Sequence, residues 1–109
     1  MKLIDEALLA EFRTPGRCEF CRKWCEVREP AHIFSRGAGR VDIKENLVSL
    51  GSTPNFSCEC HYKNHFGGVP TREMLLVVAA AREGTKPDKI RELVYRIRAD
   101  KSCKVKKIS

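Results

Sequence analysis

Long hydrophobic runs are missing from this sequence. The longest, MLLVVAAA at residues 74–81, is far shorter than the ~20 apolar residues a membrane-spanning helix needs. The opening stretch MKLIDEALLAEFR breaks its apolar residues with Asp5, Glu6 and Glu11, so it does not read as a signal peptide. These two absences predict a soluble cytoplasmic protein with no membrane partner. There is no G-x-S-x-G elbow and no glycine-rich loop of the P-loop type, which removes two familiar catalytic frameworks. Aromatic residues are only 7%, yet apolar residues reach 42%, an ordinary globular composition and not a disordered one. Acidic residues are also the minority: 14 against 21 Lys and Arg, a formal charge of +7 that favours a polyanionic partner, nucleic acid first.

What is present in excess is cysteine. The 109 residues predict one domain, at the low end for a self-sufficient apolar core, where a metal, disulfides or oligomerisation add stability. In a cytoplasmic chain six cysteines at close spacing read as metal ligands before disulfides. Cys18-x2-Cys21 has knuckle spacing, and Cys58-x-Cys60 offers two more thiolates about 40 residues on. Four thiolates make a closed tetrahedral zinc site, structural and not catalytic. The second pair is one residue tighter than usual, which makes Cys25 the substitute ligand, while Cys103 stands apart in the tail. The competing reading is a set of small buried hydrophobes without metal.

The pattern predicts helices at residues 3–13, where Ile4, Leu8 and Phe12 recur, at 60–66, and at 71–83 and 85–98. Thr71 and Gly84 bracket the third, and Thr85 with Asp88 form a capping box for the fourth, ahead of the stripe Ile90, Leu93, Val94 and Ile97. A short turn folds the last two into an antiparallel helical hairpin at 71–99. Short strands are expected before the SRGAGR loop and within DIKENLVSL, and residues 100–109 read as a loose basic tail. No internal repeat is found.

Three histidines complete the inventory. On a helix His61 and His65 lie on one face, about 5–6 Å apart at Cβ, a spacing that suits two imidazoles on one divalent cation. His32 sits in the apolar context AHIF, where a satisfied core histidine is the plainer reading. The stretch AHIFSRGAGRVDIKENLVSLGSTPNFSCECHYKNHFGG resembles the HNH endonuclease motif, the ββα-metal finger, with His32, Asn46 and the pair His61/His65 matching in order and rough spacing. The flanking cysteines are similar to the zinc ribbons of small phage and bacterial members. The resemblance covers about residues 17–68 of the 109. One position departs: Ala31 stands where many members have a metal-binding Asp or His, leaving Glu29 or Asp42 as the nearby carboxylates.

With the helices read above, the resemblance implies an α+β fold: a ββα-metal finger with a zinc knuckle, beside an N-terminal helix and a C-terminal helical hairpin. It implies hydrolysis of DNA phosphodiester bonds to 5′-phosphate and 3′-hydroxyl ends, with His32 as general base, Asn46 as its orienter, and His61 and His65 on a divalent ion (Mg²⁺, Mn²⁺, Ni²⁺ or Zn²⁺). Arg36 and Arg40, beside Gly37 and Gly39, become phosphate partners of the loop. Lys101, Lys104, Lys106 and Lys107 add salt-sensitive affinity or serve only as a soluble tail. A homodimer is compatible with this reading, because a lone finger cuts one strand. The origin implied is a phage or its bacterial host. Two rivals stand beside it: a zinc-stabilised nucleic-acid-binding module without catalysis, and a zinc-ribbon interaction protein.

Overall fold

In the computed structural model, which describes residues 2–35, 39–52, 58–100 and 105–107, the elements follow in chain order. They are β1 (Lys2–Ile4), α1 (Glu6–Phe12), β2 (Gly16–Arg17), β3 (Trp24–Cys25), β4 (Arg28–His32), a 3-10 turn at Lys44–Asn46, β5 (Leu47–Gly51), α2 (Cys60–His65), α3 (Arg72–Glu83), α4 (Pro87–Ala99) and β6 (Val105–Lys107). Among the described residues this makes an α+β chain with three two-stranded sheets: β1–β6 parallel, β2–β3 and β4–β5 antiparallel. No helix among them is long and apolar enough to cross a membrane.

The β4–β5 pair is the frame. Its register runs from Arg28 opposite Gly51 to His32 opposite Leu47. All five residues of β5 are buried, because α1, α2 and α3 all pack against this strand. That explains why LVSLG reads as an apolar run and not as an alternation. Its one hydroxyl is satisfied: Ser49 Oγ donates to the Phe12 carbonyl at 2.8 Å. The core continues through Ile33, Phe34, Val41, Val48, Leu75, Leu76, Ile90 and Val94.

Four local expectations hold or shift for identifiable reasons. The helix expected at 3–13 loses its first turn. Asp5 is extended and caps α1 by accepting from the Leu8 N–H at 3.0 Å, while Leu3 exchanges backbone bonds with Arg40 and Asp42 at 2.9 and 2.7 Å. Ile4 therefore belongs to a strand. The tail is not loose throughout, since β6 pairs with β1 and covers an edge that would otherwise stay unpaired; Lys101, Cys103 and Lys104 lie outside the described residues. In α3 the sequence signals are both used: Thr71 Oγ1 accepts from Met74 N–H, and Gly84 closes the helix at φ 68°. The Thr85–Asp88 box does not form, because the Thr85 N–H is spent closing α3 on the Ala80 carbonyl. Lys86 is the N-cap residue instead, and Pro87 sets the first turn of α4.

The helical pair is fastened to the rest by two arginines. Arg82 on α3 donates to both Glu19 carboxylate oxygens at 2.8 and 2.9 Å, to Glu83 at 2.7 Å and to the Leu47 carbonyl at 3.0 Å. Its guanidinium also lies over the Phe12 ring, 5.3 Å from the centroid. Arg98 on α4 donates to the carbonyls of Gly39 and Ser35 at 2.9 and 2.8 Å, gripping both ends of one loop. Charge-assisted bonds contribute about 1.5–3 kcal/mol each when desolvated. Arg82→Ala should therefore lower unfolding free energy by about 2–3 kcal/mol in urea titration, and Arg82→Lys should recover little, since a point charge cannot reproduce the planar fork.

Candidate functional site

The cysteines come together through a tight turn. β2 and β3 pair with Gly16 opposite Cys25, and the turn between them closes with Cys18 N–H to Lys23 O and Arg22 N–H to Cys18 O, both 2.9 Å. Arg22 takes a left-handed φ of 68° to make it. Glu19 docks this knuckle on β5: its N–H donates to Ser49 O at 2.9 Å and its carboxylate accepts from Ser49 N–H at 2.8 Å. Cys58 and Cys60 arrive from the far end of β5, Cys60 as the first residue of α2. The sulfurs of Cys18, Cys21, Cys58 and Cys60 all lie within 4.8 Å of one another, close enough to hold a metal ion. A tetrahedral thiolate site with bonds near 2.3 Å has sulfurs about 3.8 Å apart, so the donor set fits with a small contraction.

Cys25 is a neighbour and not one of the four. Its sulfur is buried 3.9 Å from that of Cys58 and 3.3 Å from the Lys23 carbonyl. Gly51 makes room for both: a Cβ there would come within 2.6 Å of the Cys58 sulfur and 2.8 Å of that of Cys25. Burial pushes the Cys18 thiol up, but N–H groups of Cys21, Gly51 and Phe20 and the Cys58 side chain outweigh it and bring Cys18 down to about 7. Burial pushes Cys58 and Cys60 up. Without a cation the cluster resists carrying several thiolates at once, so ion binding and deprotonation are coupled.

The histidines meet elsewhere. His32 ends β4 with its side chain 8% exposed and Nε2 2.7 Å from Asp42 Oδ1. Asp42 is wholly buried and also accepts from Arg40 at 2.8–3.0 Å and from the Asp5 N–H at 2.9 Å. Burial works against its charge, but Arg40, His32 and the Asp5 N–H together hold its carboxyl below the usual range. Asn46, fully buried, accepts from Phe34 N–H at 2.8 Å and donates to the carbonyls of Val41 at 2.9 Å and Phe34 at 3.4 Å. It staples the segment after His32 to the segment before Asp42, and so sets the His32–Asp42 distance.

Across from His32, α2 carries His61 and His65 into one cleft of about 660 Å³ that Glu29, Arg13 and Ser35 also line. His61 is half-buried, and burial lowers its pKa despite the opposing charge of Glu29; His65 is exposed, its ring edge against Phe66. Glu29 pairs with Arg13 at 3.3 Å. Among the described residues, no group of three or more His, Cys, Asp or Glu converges as a metal site except the four cysteines.

Two expectations change here. Asp42 is no spare metal carboxylate, since its oxygens are engaged by His32, Arg40 and Asp5. Arg40 does not hold its guanidinium out to a phosphate: it is 13% exposed and bound to Asp42 and Glu6. Arg36 lies outside the described residues. Ala31 is buried opposite Val48. Sequence reading missed the His32–Asp42 pair, because the two stand ten positions apart and no period links them. It also left unused the aromatic spacing Tyr62–Phe66, visible as i and i+4 on α2.

Comparison with protein-family models, with curated proteins and with solved structures finds no match to this chain.

Metal analysis should find one ion per chain bound by the cluster. Cys18→Ser, Cys60→Ser and Gly51→Ala should each lose it, Cys25→Ser should keep it, and a chelator should unfold the knuckle as read by circular dichroism. For the buried acid the sign follows from its lowered pKa: its stabilisation is present above about pH 4, the ordinary Asp value, and is lost as pH falls through the folded value. Asp42→Asn should cost about 3 kcal/mol or more at pH 7, and the gap from wild type should narrow in acid-side urea titrations.

Proposed function

We propose that this chain is an HNH-type endonuclease that hydrolyses DNA phosphodiester bonds, with zinc on Cys18, Cys21, Cys58 and Cys60 as its structural ion. The observation that carries the reading is the cleft, where His32 from β4 stands among His61 and His65 from α2 on the scaffold of an antiparallel strand pair followed by a short helix. The motif order His32, Asn46, His61, His65 and the +7 charge support it. Four sulfur donors in a closed tetrahedral set suit zinc, whose role there is to fasten the knuckle to α2.

His32 takes the proton from an attacking water, whose oxygen forms the new bond to phosphorus. Asp42 holds the ring and balances the positive charge the imidazole gains, as a buried carboxylate does behind other catalytic histidines. Asn46 acts one step further back, by fixing the two chain segments on which His32 and Asp42 sit. The bond from phosphorus to the 3′ oxygen breaks, leaving 5′-phosphate and 3′-hydroxyl ends. His61 and His65 would hold a divalent cation, which would supply charge to the phosphate oxygens and the departing oxygen when bound. Arg13 adds a guanidinium to the same cleft. One cleft addresses one strand, so the expected product is a nick.

One observation favours a second reading, a zinc-stabilised nucleic-acid-binding module without catalysis. Among the described residues His61 and His65 gain no third ligand close enough to complete a site. Nicking of supercoiled plasmid separates the two. After removal of loosely bound metal, wild type should nick with added Mg²⁺, Mn²⁺, Ni²⁺ or Zn²⁺. His32→Ala should lose about 100-fold or more in rate, in line with removal of a general base. A His61→Ala/His65→Ala pair should lose the metal dependence while keeping the cysteine-bound ion. If nothing nicks in any metal while DNA still shifts in a gel, the chain is a binding module. Equal nicking by wild type and His32→Ala would place the activity outside this cleft.

A further inference from the structure

Resting on the nucleic-acid reading above, we infer that Tyr62 and Phe66 form a stacking platform for an unpaired base, so that the cleft takes single-stranded or locally opened nucleic acid in preference to an intact duplex. Both rings line the cleft that holds His61 and His65. They stay 62% and 70% exposed. Their centroids are 4.7 Å apart with planes inclined at 43°, and Phe66 also makes an edge contact with His65, with 5.2 Å between ring centroids. The pair is therefore a braced surface and not two loose side chains. Tyr62 lies on the same six-residue helix as the proposed ion-binding imidazoles and Phe66 is its C-cap, each one residue after a histidine.

The occupant follows from chemistry and charge. A nucleobase offers a flat π-face to an aromatic ring whatever its identity, and its own phosphate lies a few ångströms away. Around these rings the phosphate would find His61, His65 and Arg13, with Lys63 exposed on the turn between the two aromatics. The whole chain carries +7. In a matched duplex the bases are stacked on one another and offer no free face, so the platform has nothing to hold. In an unpaired strand it fixes the nucleotide whose phosphate enters the cleft.

The test uses the 109-residue chain loaded with its cysteine-bound metal and without added divalent ion, so that no strand is consumed. Its probe is a short DNA carrying one 2-aminopurine, single-stranded or in a matched duplex. The expected result is tighter binding of the single strand with quenching of 2-aminopurine fluorescence. Tyr62→Leu/Phe66→Leu, which keeps apolar side chains on the helix, should abolish the quench, weaken single-strand affinity at least about fivefold and leave duplex affinity unchanged. Metal content and circular dichroism of the variant check that α2 still forms. Equal binding of both DNAs without quenching overturns the platform while leaving nucleic-acid binding intact. No binding of either DNA overturns the reading of the preceding subsection as well. Self-association lost in the double variant would assign the rings to a contact between two copies.

Discussion

A helix of six residues cannot hold itself. In water a single turn and a half of backbone bonds falls far below the length at which helix formation becomes favourable, and α2 has no side-chain cap at its start. What positions it is the cysteine cluster, whose last member is its first residue. At the other end, Asn64 donates to the Pro70 carbonyl at 2.8 Å and Gly68 N–H to Lys63 O at 2.7 Å. Together with packing against β5, these anchors hold His61 and His65 in the cleft. Cohesion of the four cysteines thus supports the arrangement of the cleft, although no cysteine lines it.

The opposite wall depends on a second, independent device. Asp42 collects His32, Arg40 and the N–H of Asp5 on one buried carboxylate, and Arg40 passes the connection on to Glu6. The N-terminal strand and helix are thereby joined to the residue at the end of β4. Asn46 performs the same duty with neutral groups. These polar residues are among the least exposed in the chain, and among the described residues no buried side-chain nitrogen or oxygen lacks a partner. Such complete satisfaction is what allows charge to be buried beside an apolar core.

Much of this was legible beforehand, and the failures are instructive. Knuckle spacing and a nearby second pair were enough to place Cys18, Cys21, Cys58 and Cys60 together, because metal ligation constrains side-chain type and local spacing at once. The β4–β5 pair, α2 and the ends of α3 were readable from turn residues and caps. Ile4 was misread because a period of four over three positions cannot separate a helix from a strand that leads into one. Arg40 was misread because a basic residue beside glycines looks the same whether it faces solvent or turns back onto a buried acid two positions on and onto Glu6, 34 positions away. Long-range pairing of charges leaves no period in the sequence, so neither the Asp42 hub nor Arg82 and its bond to Glu19 could be seen before the fold.

The grip of Arg98 on Ser35 and Gly39 has an engineering meaning. One guanidinium on α4 ties down both stumps of the loop, and Asn46 fixes the chain just inside them. The residues on either side of positions 36–38 are thus held from α4, on bonds separate from those that place His32 in the cleft. Ser35 and Gly39 are therefore fixed points between which a different sequence could be grafted without loosening the hold of Arg98.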